Sequence, residues 1–181
     1  MLRTLQSTRF MQLTRGFKTS PRAFVAVGDS IPKITLFEGS PGNAVDLPSE
    51  LNGKSIIVGI PGAFSPACSA SHVPGFIERI DALKNAGVSN VYVVGVNDAF
   101  VMKAWGDSLG GGVKGIRFLA DPAGEFNKEL GLLFDAEKFF GNKRSKRYAL
   151  VVEDGKVSSV FEEPDNVSVD VSAAAKVLES L

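Results

Sequence analysis

A three-layer α/β domain, with helices on both faces of a mixed β-sheet, is what this sequence predicts. Two unbroken apolar runs, 55–60 and 91–96, and a shorter one at 116–120 alternate with segments of helical period. Continuous apolar runs bounded by Gly and Pro are the pattern of strands covered on both faces, and the helices between them make the crossovers of a parallel sheet. Near the end, Asp154-Gly155 separates two strand-like segments, the strongest short hairpin signal in the chain, so antiparallel strands join the same sheet.

In chain order, 31–37 reads as a short strand and Pro41-Gly42-Asn43 as a turn. The strand at 55–60 leads into the segment holding Cys68 and His72. From Pro66 onward, Cys68, Val73, Phe76, Ile77, Ile80 and Leu83 recur at helical spacing as far as Asn85-Ala86-Gly87. Pro74 falls inside that helix and predicts a kink about six residues after the cysteine. After the strand at 91–96, Asp98 is placed to cap a helix carrying Phe100, Val101, Ala104, Trp105 and Leu109. Gly110-Gly111-Gly112 closes that helix as a flexible cap; it lacks the Gly-Lys-Ser/Thr ending of a phosphate loop. A strand at 116–120, a turn at Asp121-Pro122, a short helix over 124–132, the hairpin strands 147–153 and 156–162 and a final helix over 172–181 complete a thioredoxin-like organisation.

Size and charge exclude several classes. The chain is long enough to hold a core without staples, and one cysteine permits no internal disulfide. One Cys and one His also fall short of a four-ligand zinc site, and no cofactor is called for. Arg3, Arg9, Arg15, Lys18 and Arg22 precede the first acid, Asp29, among Leu2, Leu5, Phe10, Met11 and Leu13. This reads as an Arg-rich mitochondrial transit leader over residues 1–22, with cleavage near Phe17 and the folded domain over 23–181. The competing reading is a disordered basic arm for nucleic acid or lipid headgroups. Without the leader, fifteen basic residues face twenty acidic ones, which argues against nucleic acid as a partner. No apolar run approaches the ~18 residues of a membrane span.

Chemistry is sought at Cys68, the only cysteine, four residues before His72, the only histidine. By residue type alone a lone cysteine is more often a buried hydrophobe than a catalyst. Its place alters that weighting: where a strand turns into a helix, a sulfur meets unsatisfied backbone N–H groups and the positive end of the helix dipole, which favour a thiolate, the nucleophilic form. Pro61, Gly62 and Pro66 fix the turn, Ser65 brings a hydroxyl three residues before the sulfur, and His72 lies one helical turn beyond it on the same face.

Pro61-Gly-Ala-Phe-Ser65-Pro-Ala-Cys68 resembles the peroxiredoxin signature Pro-x-x-x-Thr/Ser-x-x-Cys, and the run on through His72-Val-Pro-Gly-Phe76 resembles the type II subgroup. Val94-Gly-Val-Asn-Asp-Ala-Phe-Val101, Trp105, Leu119-Ala-Asp-Pro122, Phe140-Gly-Asn142 and Lys146-Arg147-Tyr148 extend the similarity across roughly residues 24 to 165. The resemblance implies a thiol-dependent peroxidase of antioxidant defence, with Cys68 attacking a hydroperoxide to form a sulfenic acid. It further implies that Ser65 and Arg147 hold the peroxide and stabilise charge, that Pro61 shields the sulfenic acid, and that the N–H groups of Ala67 and Cys68 complete the donors. Phe140 would line the site mouth, and His72 would tune the thiolate, contact substrate or be structural. Lys138, Lys143, Arg144 and Lys146 would be solvated or meet an acidic reductant. With no resolving cysteine, the sulfenic acid would be reduced by an outside thiol, glutathione with glutaredoxin or thioredoxin, and the resemblance implies a homodimer. Two alternatives stand beside it: a monothiol thiol-transferase, since Cys68-Ser-Ala-Ser71 has the form Cys-x-x-Ser, and a redox sensor or holdase that shares the first step with the peroxidase but does not turn over.

Overall fold

The computed structural model describes residues 24–181; the expected leader at 1–22 lies outside them. Seven strands form one sheet in the order β2-β1-β5-β4-β3-β8-β9. The strands are β1 (Leu36–Glu38), β2 (Ala44–Val45), β3 (Lys54–Ile60), β4 (Val88–Gly95), β5 (Ile116–Ala120), β8 (Tyr148–Glu153) and β9 (Lys156–Glu162). The three buried runs pair in parallel, β3 with β4 and β4 with β5, while β8 runs antiparallel to β3 and β9 to β8. Asp154 and Gly155 both take positive φ, 48° and 77°, as a two-residue hairpin turn requires.

The sheet separates two cores. Ile56, Val58 and Ile60 of β3 face Cys68, Phe76, Leu83, Met102 and Trp105, and Ile57 points the other way toward Tyr92, Leu119, Phe126 and Tyr148. Period-2 alternation within an all-apolar run therefore serves both helical layers. The first core is closed by α2 (Val73–Glu78), α3 (Ile80–Asn85), α4 (Ala99–Leu109) and α7 (Ala174–Glu179). On the second side lie α1 (Leu47–Glu50) and α5 (Glu125–Glu129). The Asp98 carboxylate accepts from Val101 N at 2.9 Å, the expected cap of α4, and Gly110 ends that helix in the left-handed region.

Four elements differ from expectation. The strand predicted over 31–37 pairs only over Leu36–Glu38, because Pro32 has no N–H for a ladder and Ile34 N instead donates to the Pro32 carbonyl at 3.0 Å. The helix after Cys68 contains a π-turn, Cys68–His72, in which Val73 N donates to the Cys68 carbonyl five residues back, and a break at Arg79 (φ −99°, ψ 9°). The wide turn sits directly ahead of Pro74, whose missing N–H and bulky ring disturb the ordinary α ladder there. The segment after α5 holds a separate hairpin, β6 (Leu133–Asp135) with β7 (Lys143–Ser145), spanned by α6 (Glu137–Phe140). The short helix itself is α5, Glu125–Glu129, rather than the whole of 124–132.

Candidate active site

β3 ends at Ile60, and the chain turns at the carboxyl ends of the three parallel strands, where open α/β sheets gather their functional loops. Pro61 and Gly62 are buried beneath this turn, and Ala63 N donates to Asn97 Oδ1 at 3.1 Å, tying it to the loop after β4. Phe64 adopts φ 61°, a costly conformation for an aromatic residue, and is exposed. Pro66 and Ala67 are already helical, and the first bond of the ladder is Ser69 N donating to the Ser65 carbonyl at 3.0 Å. The N–H groups of Ala67 and Cys68 precede that bond, so they belong to the orphan donors of a helix start.

Cys68 is fully buried. Its partner comes from across the sheet. Tyr148 pairs with Gly59, which places Arg147 one residue beyond the ladder and on the face that Ala149 and Val151 share with Cys68. A Cβ on Gly59 would lie 2.0 Å from Tyr148 Cε1, so the tyrosine ring occupies the space a side chain would need. Arg147, 2% exposed, donates from Nη1 to Cys68 Sγ at 3.4 Å. The same Nη1 faces His72 Nδ1 at 3.3 Å, and His72 Nε2 faces the Ser172 carbonyl at 3.2 Å. These partners assign the imidazole: Nε2 carries the proton and donates to Ser172, and Nδ1 accepts from Arg147. Burial, and then the adjacent Arg147 charge, bring the His72 pKa down to about 3, so the ring is neutral near pH 7.

Phe140 packs on Gly62, where a Cβ would lie 3.1 Å from Phe140 Cε1. Arg144 stands 4.8 Å from the Phe140 ring centre and donates from Nη1 to the Val96 carbonyl at 2.8 Å and from Nε to Asn142 Oδ1 at 2.7 Å. Behind the cysteine, Trp105 Nε1 donates to Ser69 Oγ at 3.0 Å and anchors the π-turn.

A family model described as Redoxin matches residues 26–178. The chain is 52% identical over 158 residues to peroxisomal membrane associated protein 20 of Schizosaccharomyces pombe, covering 87% of this chain and 99% of that one. It is 40% identical over 161 residues to peroxiredoxin-2B of Arabidopsis thaliana, covering 87% and 98%. The chain belongs to the peroxiredoxins. The solved structure of reduced Prx3 from Vibrio vulnificus in complex with hydrogen peroxide superposes with a TM-score of 0.80 at 38% identity, covering 87% of this chain and all of that one. The type II resemblance and the thioredoxin-like fold both stand, and this peroxiredoxin is a thiol-dependent peroxidase.

One expectation is corrected by the relatives. Besides the Schizosaccharomyces pombe protein, a Lipomyces kononenkoae relative, 43% identical over 138 residues and covering 76% of this chain and 81% of that one, also carries a peroxisomal name. The mitochondrial location read from the basic leader is overturned by this; Arg-rich, acid-poor composition is a bulk property that many segments share.

Of the residues singled out in the sequence, the fold gathers Cys68, Arg147 and His72 into direct contact; Ser65 and Ala67 lead into the helix start at Cys68, Pro61 is buried where β3 ends, and Phe140 lies on Gly62. Ser65 is differently employed than expected: its hydroxyl donates to the Gly62 carbonyl at 2.8 Å. Nor are the four nearby cations alike, since Lys146 pairs with Glu162 at 2.5 Å and Arg144 is held by Val96 and Asn142. Sequence reasoning missed Asn97 and the pair Glu163 and Ser172, and it named Arg144 only as a solvated or reductant-facing cation, not as a residue packed on Phe140 and held by Val96. Asn97 had a signal in the Val94–Val101 motif, whereas Glu163 reads as one more acid in a polar tail.

Proposed function

We propose that this peroxiredoxin reduces hydrogen peroxide and organic hydroperoxides through Cys68. The thiolate attacks one peroxide oxygen, the S–O bond forms as the O–O bond breaks, and the departing oxygen takes a proton to leave as water or an alcohol. Cys68 is left as a sulfenic acid. Arg147 stabilises the thiolate and the charge developing on the peroxide oxygens, and its buried Nε, which has no partner among the described residues, is a donor free for that oxygen. The Ala67 and Cys68 N–H groups add donors from the helix start. Ser65 turns its hydroxyl from Gly62 to the peroxide, Phe140 and Pro61 keep water from the sulfenic acid, and His72 acts from behind. The observation that carries this reading is the Arg147 Nη1 to Cys68 Sγ contact of 3.4 Å inside a buried helix start.

The chain holds no second cysteine, so an external thiol completes the cycle. It attacks the sulfenic acid, releasing water and forming a mixed disulfide, and a second thiol then releases Cys68 by exchange. Glutathione with glutaredoxin and thioredoxin are the two reductant systems to be compared. A homodimer forms through the exposed Phe64, in the turn before Cys68, and Phe100, in the first turn of α4, whose preceding segments are joined by the Ala63–Asn97 bond, and the peroxisomal names of the relatives support that compartment.

Rapid mixing of the reduced protein with hydrogen peroxide tests the first step. A second-order rate no faster than that of free cysteine thiolate refutes it, and a single oxidation without turnover under either reductant converts the enzyme into a sensor.

A further inference from the structure

Six cations among the described residues are not exposed: Lys54, Arg79, Arg117, Arg144, Lys146 and Arg147. Four of them have a carboxylate within ion-pair distance, Lys54 with Glu153, Arg79 with Glu78, Arg117 with Glu38 and Glu50, and Lys146 with Glu162. Arg147 has Cys68 instead. Arg144 has neither, and every neighbour the fold gives it is neutral. It sits opposite Phe134 in the register of β6 and β7, its guanidinium lies over the Phe140 ring, and it donates to the Val96 carbonyl and to Asn142 Oδ1. Burial lowers its pKa, yet an arginine stays protonated. A partly dry cation without an acid is unfavourable, and a side chain free to swing would turn to water. These contacts hold it instead. They leave Nη2, which is open to solvent and has no partner among the described residues, as a fixed donor edge.

This edge stands beside the turn that carries the cysteine. Phe140 packs on Gly62, and the Val96 carbonyl that holds Arg144 adjoins Asn97, whose side chain accepts from Ala63 N. Gly62 precedes Cys68 by six residues, at most about 20 Å of extended chain. Ser65 N donating to the Gly62 carbonyl and Ser69 N donating to the Ser65 carbonyl coil that stretch well below its full reach. The acyl arm between the carboxylate and the peroxide group of an oxidised fatty acid is of comparable length. Phe140 is 38% exposed and Phe139 79%, so apolar surface for such an arm lies next to the cation.

We propose that Arg144, with the face of Phe140 beside it, is a specificity-determining residue that binds the carboxylate of an apolar hydroperoxide whose peroxide group reaches Cys68. Nη2 and the second proton of Nη1 offer a carboxylate the two donors of a bidentate pair. The missing counterion of Arg144 is then supplied by the substrate, while the apolar arm leaves water against the phenylalanines. Arg147 meets the reacting end of the molecule and Arg144 the other. This deepens the peroxidase reading and rests on it for the rate measurements, although not for the binding of the carboxylate.

The decisive comparison is between linoleic acid hydroperoxide and its methyl ester, which carry the same peroxide and differ in charge. Each is mixed rapidly with the reduced full chain, without reductant and below the concentration at which it forms micelles. The native protein reacts about tenfold faster with the acid than with the ester, the worth of one charge-assisted hydrogen bond. In Arg144→Gln, whose amide keeps a donor for the Val96 carbonyl, the two rates come within about twofold of each other. Reading the ratio cancels any general loss of reactivity in the variant. Lys138→Gln, which removes an exposed cation from the neighbouring helix α6, keeps about the native ratio. Equal rates for acid and ester in the native protein overturn the proposal whether or not any variant folds. An equal fall of the ratio in both variants also overturns it, because a diffuse positive field would then be the cause. If the protein reacts with no peroxide, the peroxidase reading sinks and laurate, which carries none, makes the decision by equilibrium dialysis. Laurate bound about tenfold more tightly than methyl laurate by the native protein, with the difference lost in Arg144→Gln, supports the carboxylate site. Equal binding of the two overturns it.

Discussion

Acidification from about pH 7 to about pH 5 protonates His72 in the unfolded chain and leaves it neutral in the folded one, which makes a measurable stability effect from one residue. The unfolded ring titrates at 6.5; in the folded protein burial and Arg147 bring it to about 3. Between those values the unfolded state binds the extra proton, so stability rises with pH and is lost as pH falls. Over this window the loss depends almost wholly on the unfolded value, because the folded pKa lies well below it. Linkage gives about 2 kcal/mol between about pH 7 and about pH 5, or roughly 4–8 °C in Tm for a domain of this size. His72 is the only histidine in the chain, so no other imidazole contributes. Carboxylates titrate in wild type and variant alike and cancel in the difference. The assay is urea unfolding of the wild type and His72→Gln at both pH values. The expected outcome is that the wild type loses about 2 kcal/mol more than the variant on acidification. Equal losses would mean that the folded imidazole accepts a proton readily, which is incompatible with an Nδ1 lone pair held against a guanidinium.

Other consequences are as direct. Arg147→Ala lowers the second-order rate with peroxide by about a hundredfold or more, read by rapid mixing, since it removes the donor that meets the developing charge; a tenfold loss or less would leave the arginine a packing residue. Gly59→Ala destabilises by about 3 kcal/mol in urea, the upper end of overpacking, because its Cβ meets the Tyr148 ring between two central strands. Tyr148→Phe costs about 1 kcal/mol by the same measurement, because the phenol loses its 3.0 Å bond to Asn127 Oδ1 while Ser145 continues to donate to that oxygen at 2.8 Å.

What could be read from the sequence was whatever one short stretch decides by itself. β5 falls on the expected 116–120 and β3 one residue longer than expected, because a strand covered on both faces must be apolar at every position or nearly so. The turn at Asp154-Gly155 was legible because two successive positive φ values restrict residue choice. β6 (Leu-Phe-Asp) and β7 (Lys-Arg-Ser), three residues each, are too short to carry such a constraint and were missed. The same division runs through the site. A cysteine at a helix start is a local fact, and its motif is a short run of residues. That His72 accepts from Arg147, 75 positions away, and is set by Ser172, 100 positions away, depends on how β8 docks against β3. Arg147 lies on the Cys68 face only because Tyr148 pairs with Gly59, and a slip of one residue would send every β8 side chain to the opposite layer. Tyr148 would then face the sulfur and Arg147 the apolar core around Leu119 and Phe126. Gly59 blocks that slip, since the native register alone places the tyrosine ring over a residue with no side chain. The same close contact that holds the sheet in register therefore aims the arginine at its cysteine.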